Sequence, residues 1–137
     1  MNILVIDAQG GGIGKQLVSA IKQNVSDASV TAVGTNSAAT AAMLKAGADI
    51  AATGENAVIV GCRKADVILG PIGIVIADSL YGEVTEKMAA AVGQSSAKRI
   101  LIPINHCGNI IAGVTDLSLG KLVQSAIEEL VNVKNNA

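Results

Sequence analysis

Aromatic residues are nearly absent from this chain: it has no Trp, no Phe and one tyrosine, Tyr81. The stacking platforms on which single-stranded nucleic acid binds are therefore missing. Positive charge is not in excess either, since 10 Lys and Arg stand against 11 Asp and Glu, for a net charge of -1. Nucleic acid phosphates call for clustered Lys and Arg, so no nucleic-acid partner is expected. Two cysteines, Cys62 and Cys107, make no disulfide framework, and one histidine supplies no zinc-ligand spacing. No basic leader precedes the opening Asn2-Ile3-Leu4-Val5-Ile6-Asp7, so a cytoplasmic location is expected. The longest apolar run, 67–77, contains Pro71 and lies between Asp66 and Asp78. It is too short and too broken to span a bilayer, so no membrane partner is expected.

What the chain has is aliphatic bulk. Half of it, 50%, is hydrophobic and only 15% is charged. Alanine and branched aliphatics suit close packing of helices on a sheet. So much apolar surface on a chain of 137 residues also suggests assembly into a homo-oligomer, most simply a two-fold dimer. The stretch 74–92 around Tyr81 is the expected contact. The length fits one domain, here 1–131, with 132–137 as a polar, frayed tail.

Strand and helix patterns alternate along the chain. Residues 2–7 read as a strand covered on both faces. Ile13, Leu17, Ala20, Ile21 and Val25 recur at helical spacing and predict a helix over 13–24. A second strand is expected over 29–33, and Gly34-Thr35-Asn36-Ser37 offers capping oxygens to a helix that ends before Gly47. A short third strand fits 48–52. The segment 55–64 reads as a helix, because a parallel neighbour needs a crossover of about a dozen residues. A fourth strand fits 66–69, after which Gly70-Pro71-Ile72-Gly73 breaks the chain. Residues 74–80 fit a buried helix or a strand. Thr85 can cap a helix to about Val92, 99–104 reads as a buried strand and 110–114 as a last short one. Asp116 or Ser118 starts a terminal helix. This order predicts an α/β fold, a single Rossmann-like three-layer domain with a mostly parallel sheet.

The most informative segment is Ala8-Gln9-Gly10-Gly11-Gly12-Ile13-Gly14-Lys15, which follows the first strand and opens a helix. The first turn of a helix leaves backbone N–H groups unpaired and carries a partial positive charge. Glycines let a phosphate reach those donors, and Lys15 adds a full charge. No single fingerprint is complete. The dinucleotide pattern G-x-G-x-x-G, aligned on Gly14, meets Gln9 in place of its first glycine. The loop G-x-x-x-G-I-G of short-chain dehydrogenases meets Ala8, and their Tyr-x-x-x-Lys would put Lys where Thr85 stands. The phosphate loop G-x-x-x-x-G-K-[ST] meets Gln9 and Gln16. The run 11–15 also resembles the deviant loop of ParA-like ATPases, but Gly10 replaces their signature lysine and Gln16 their metal-holding hydroxyl. An ATPase is disfavoured. A ribose-binding acid is missing at the end of the second strand, where Gly34, Thr35, Asn36 and Ser37 are neutral; so is the arginine of an NADP site.

The motifs 10–15, 34–37, 53–56 and 70–73 together resemble a family of short bacterial proteins of unknown function. The resemblance covers nearly the full chain and implies a Rossmann-like fold and size, with no established activity.

If the strands are parallel, five turns follow their carboxyl ends, where open α/β sheets bind ligands. The candidate ligand-binding residues are therefore Asp7, Gln9, Gly10, Gly11, Gly12, Ile13, Gly14 and Lys15 in the first turn; Gly34, Thr35, Asn36 and Ser37 in the second; Thr53, Gly54 and Asn56 in the third; Gly70, Pro71 and Gly73 in the fourth; and Asn105 in the fifth. Asp7 can cap the turn, pair with Lys15, accept a ribose donor or hold a metal; capping is the simplest role. Asp78 follows an apolar run and would carry a raised pKa if partly buried, although a local turn role is simpler. His106-Cys107 reads as a polar turn with an incidental thiol, and Arg63 and Lys64 as a solvated helix end. The reading is a protein that binds a phosphate-bearing ligand, a nucleotide or an NAD-like or NADP-like dinucleotide, as a regulatory or accessory subunit. The alternatives are an enzyme acting on a nucleotide or phosphorylated metabolite, and a structural oligomer with a degenerate loop.

Overall fold

In the computed structural model, residues 1–104, 108–115 and 117–137 are described. Strands and helices alternate as β1 (Asn2–Asp7), α1 (Gly12–Asn24), β2 (Ser29–Gly34), α2 (Ser37–Lys45), β3 (Ile50–Thr53), α3 (Glu55–Lys64), β4 (Val67–Pro71), α4 (Glu86–Gln94), β5 (Lys98–Ile102) and α5 (Leu119–Asn135). A 3-10 turn, Ile72–Val75, follows β4. The strands form one all-parallel sheet in the order β3-β2-β1-β4-β5.

Helices cover both faces, which is why β1 and β4 read as unbroken apolar runs. On one face Leu17, Val18 and Ile21 of α1, Ala39 and Met43 of α2, and Leu122, Val123, Ala126, Ile127 and Leu130 of α5 pack on Ile3, Val5, Val30 and Leu69. On the other, Val58 and Cys62 of α3 and Met88, Ala89 and Val92 of α4 pack on Leu4, Ile6, Val33 and Ile68. The result is a single Rossmann-like α/β domain of three layers.

Local caps agree with the sequence. Asn36 accepts from the Ala39 amide at the start of α2, Thr85 from Met88 at α4, and Ser118 from Lys121 at α5. The ambiguous 55–64 is a helix, and Arg63 and Lys64 are exposed in its last turn.

Four expectations are corrected. Residues 110–114 form no strand; Ile110 is 87% exposed in a turn-containing segment. Residues 74–80 are neither a full helix nor a strand but a 3-10 turn followed by tight turns, with Asp78, Leu80 and Tyr81 at positive φ. The polar tail is helical to Asn135, because Val131 and Val133 pack against the core and Lys134 Nζ meets Asp27 Oδ1 at 2.8 Å. Finally, the apolar residues of 74–92 are not left over from the core, since Ile74, Leu80, Val84, Met88, Ala89 and Val92 are all buried. Of that stretch Tyr81 stands out into solvent.

Candidate ligand-binding cleft

Sheet order reverses between β1 and β4: β2 and β3 lie to one side of β1, β4 and β5 to the other. At such a switch point the connections leave toward opposite faces and open a crevice above the carboxyl ends of the strands. A cleft of about 380 Å³ lies there, lined by Asp7, Gln9, Gly10, Gly12, Lys15 and Pro71 along with Leu80 and Leu119.

The glycines of the loop divide by role. A Cβ on Gly11 would lie 2.9 Å from the Ala39 Cα, and Gly11 sits at φ +73, so it serves the approach of the loop to α2. A Cβ on Gly14 would strike Met43 and the Asp7 Cβ. Gly10 and Gly12 are different, because a Cβ at either meets nothing within 4 Å. Packing does not require glycine at these two positions, and both face the cleft.

Asp7 is 4% exposed and ends β1. Its Oδ2 accepts the Gly14 amide at 2.7 Å and its Oδ1 the Ala8 amide at 2.7 Å. Burial pushes its pKa up, against the pull of the Gly14, Ala8 and Ile13 amides, and the nearby Glu83 charge adds to the rise. Asp7 is thus the capping carboxylate of the turn. Of the amides around the start of α1, Asp7 accepts that of Gly14, while Gly11 donates to the Ala8 carbonyl at 3.0 Å. Neither the Gly12 nor the Ile13 amide has a hydrogen-bond acceptor among the described residues, and both residues line the cleft.

A residue that sequence reasoning passed over completes the rim. Glu83 Oε1 accepts from the Gln9 amide at 3.0 Å, from Thr35 Oγ1 at 2.7 Å and from Asn36 Nδ2 at 2.6 Å. Those donors belong to the turns after β1 and β2. Burial acts to raise the Glu83 pKa, but the three hydrogen bonds outweigh it and the net direction is down. The strap that carries Glu83 is tied at both sides. Ser79 Oγ donates to the Gly73 carbonyl, and Thr85 Oγ1 donates to Glu55 Oε1 at 2.6 Å. Nothing local in Tyr81-Gly82-Glu83 signals a partner nearly 50 residues earlier; the glycine there marks only a turn.

The other candidate residues are placed as follows. Gly34 ends β2, where a Cβ would collide with Thr40, and Ser37 begins α2. Thr53 Oγ1 lies 2.7 Å from Thr40 Oγ1, the Gly54 amide donates to the Gly34 carbonyl at 2.9 Å, and Asn56 is exposed on α3. The β3 turn therefore joins the β2 turn and stands apart from the cleft. A Cβ on Gly70 would strike the Ile6 carbonyl oxygen, and one on Gly73 would press on Ser79 and Leu80, so both are packing glycines. Asp78 is exposed, not partly buried, and its backbone ties it to the strap: its amide donates to the Val84 carbonyl at 2.8 Å and its carbonyl accepts the Gly82 amide at 3.1 Å. Asn105 and His106-Cys107 lie outside the described residues. Among the described residues no cluster of three or more His, Cys, Asp or Glu is placed to hold a metal, and no helix is long and apolar enough to cross a membrane.

A family model described as a domain of unknown function, DUF3842, matches residues 2–135. The chain belongs to the DUF3842 family. No curated protein and no solved structure matches it. In this DUF3842 member the cleft and its rim bring together open glycines, one lysine, two carboxylates and neutral donors.

Proposed function

We propose that this chain binds a small phosphate-bearing ligand, a nucleotide or dinucleotide, in the cleft between the ends of β1 and β4, and acts as a regulatory or accessory subunit. The observation that carries the reading is the pair Gly10 and Gly12. Packing does not demand glycine at either position, yet both keep the backbone bare toward the cleft, beside the start of α1 and Lys15. Bare backbone at a helix start is what a phosphate needs.

The test is a panel of NAD, NADP, FAD, FMN, ATP, GTP and nucleoside monophosphates, screened by thermal shift and calorimetry. A side chain at position 12 has room in the free protein, so Gly12→Val should remove binding while leaving the melting temperature nearly unchanged. Absence of binding by every compound in the panel would reject the nucleotide reading. Turnover of a bound compound would make the chain an enzyme instead of a binding subunit.

One observation favours a second reading, a purely structural loop. Asp7 places a carboxylate on the Gly14 and Ala8 amides, so the protein itself fills part of its helix end. On that reading Gly12→Val changes nothing. Assembly into a homo-oligomer is part of the proposal, resting on exposed Leu44 and Ile50, which lie on α2 and the edge strand β3. Light scattering at micromolar concentration measures it directly.

A further inference from the structure

We propose that Glu83 is the acceptor for the 2′- and 3′-hydroxyls of a ribose, so that the ligand is a nucleotide with an unmodified ribose, NAD-like and not NADP-like. This rests on the cleft reading above and specifies it. Sheets of this type hold a dinucleotide's ribose at the end of the second strand, where a carboxylate accepts its hydroxyls. The turn after β2 here is Gly34-Thr35-Asn36-Ser37 and contains no carboxylate. The structure supplies one from across the chain, because Thr35 and Asn36 both donate to Glu83.

The clamp has a form that suits this role. All three donors fall on Oε1, which fixes the carboxylate in place. None of the hydrogen bonds among the described residues uses Oε2, so an ionised acceptor remains. One of the three donors, the Gln9 amide, belongs to a residue lining the cleft, which sets the carboxylate at its rim. The drop in the Glu83 pKa keeps the group ionised near neutrality.

Charge decides against a 2′-phosphate. Such a group would meet Glu83 and, behind it, Asp7, whose titration already feels the Glu83 charge. Arginine is the usual partner of a 2′-phosphate. Arg63 lies in the last turn of α3, and Arg99 donates to the Ser95 and Ala97 carbonyls, so neither serves this end of the sheet. Lys15 stands at the loop, on the phosphate side of the cleft.

The experiment is calorimetry of the full chain with NAD, NADP and inorganic pyrophosphate, on the wild type and on Glu83→Gln. Glutamine keeps an Oε1 for the three donors but puts an NH₂ group where the ribose acceptor stood. Expected for the wild type is NAD binding at least about tenfold tighter than NADP, the scale set by one lost charged hydrogen bond. Glu83→Gln should weaken NAD by about tenfold and narrow the NAD/NADP ratio. Equal wild-type affinity for NAD and NADP would overturn the assignment, and so would a ratio unchanged in Glu83→Gln. Pyrophosphate bound as tightly as NAD would uphold the loop as a phosphate site and reject Glu83. Silence from all three would reject the cleft reading and this one with it. If Glu83→Gln fails the fold check by circular dichroism, the wild-type NAD/NADP ratio decides alone.

Discussion

Asp7 Oδ2 accepts the backbone amide of Gly14 at 2.7 Å, and this bond ties the end of the first strand to the first turn of the first helix. With Oδ1 on the Ala8 amide, both carboxylate oxygens are engaged. An asparagine can present an oxygen to only one of these donors and sets an NH₂ against the other. Asp7→Asn should therefore destabilise the protein by about 1–3 kcal/mol in urea unfolding. The deficit has a pH signature. Because burial raises the folded pKa of Asp7, its contribution to stability is full below its unfolded value and is lost as pH rises through the folded value. The gap between wild type and Asp7→Asn should then narrow across that window on going to higher pH.

The loop glycines should separate cleanly under alanine substitution. Gly11→Ala places a Cβ on Ala39 and demands φ +73 of an L residue; Gly14→Ala drives into Met43 and Asp7. Each should cost about 1–3 kcal/mol. Gly12→Ala meets open space in the first residue of α1 and should be neutral or stabilising by up to about 1 kcal/mol. Equal losses at all three positions in denaturant titrations would contradict this division.

Ligand binding should take up protons. An anion in the cleft raises the Asp7 pKa further, in the direction burial has already moved it. Affinity should thus increase as pH falls through the range between the free and bound values of Asp7. Calorimetry in buffers of different ionisation enthalpy would register the uptake. Lys15→Ala should weaken the same ligand by about 1–3 kcal/mol, with a smaller effect at high salt. An unchanged dissociation constant would place Lys15 out of reach of the phosphate.

Cys62 should be chemically silent in the native protein. It is buried under α4, and burial alone pushes its thiol up to about 11. Little thiolate exists at pH 8, and only 5% of the residue is exposed. Alkylation with iodoacetamide, mapped by peptide mass, should label Cys62 only after unfolding. Labelling at the native rate of a free thiol would show that this face opens readily.

Much of the architecture was already legible in the one-dimensional pattern, for physical reasons. Unbroken apolar runs at Ile3-Leu4-Val5-Ile6 and Val67-Ile68-Leu69 mark strands covered on both faces, and the helical spacing of Leu17, Ile21 and Val25 marks what covers one of them. Caps such as Asn36, Thr85 and Ser118 are local, so sequence by itself determines them. Even the position of the glycine-rich loop, after β1 and before α1, follows from those neighbours. Tertiary structure alone decided the rest. It assigned Gly11 and Gly14 to packing and left Gly10 and Gly12 bare, because that depends on how closely α2 approaches. It absorbed the apolar stretch around Met88 and Val92 into the core, since composition cannot say which face of a helix finds the sheet. And it brought Glu83 onto Thr35 and Asn36, a long-range contact set by a strap whose tight turns hold Asp78, Leu80 and Tyr81 at positive φ. Periodicity records what a residue needs from its own element; which distant donor meets it is a property of how the layers stack.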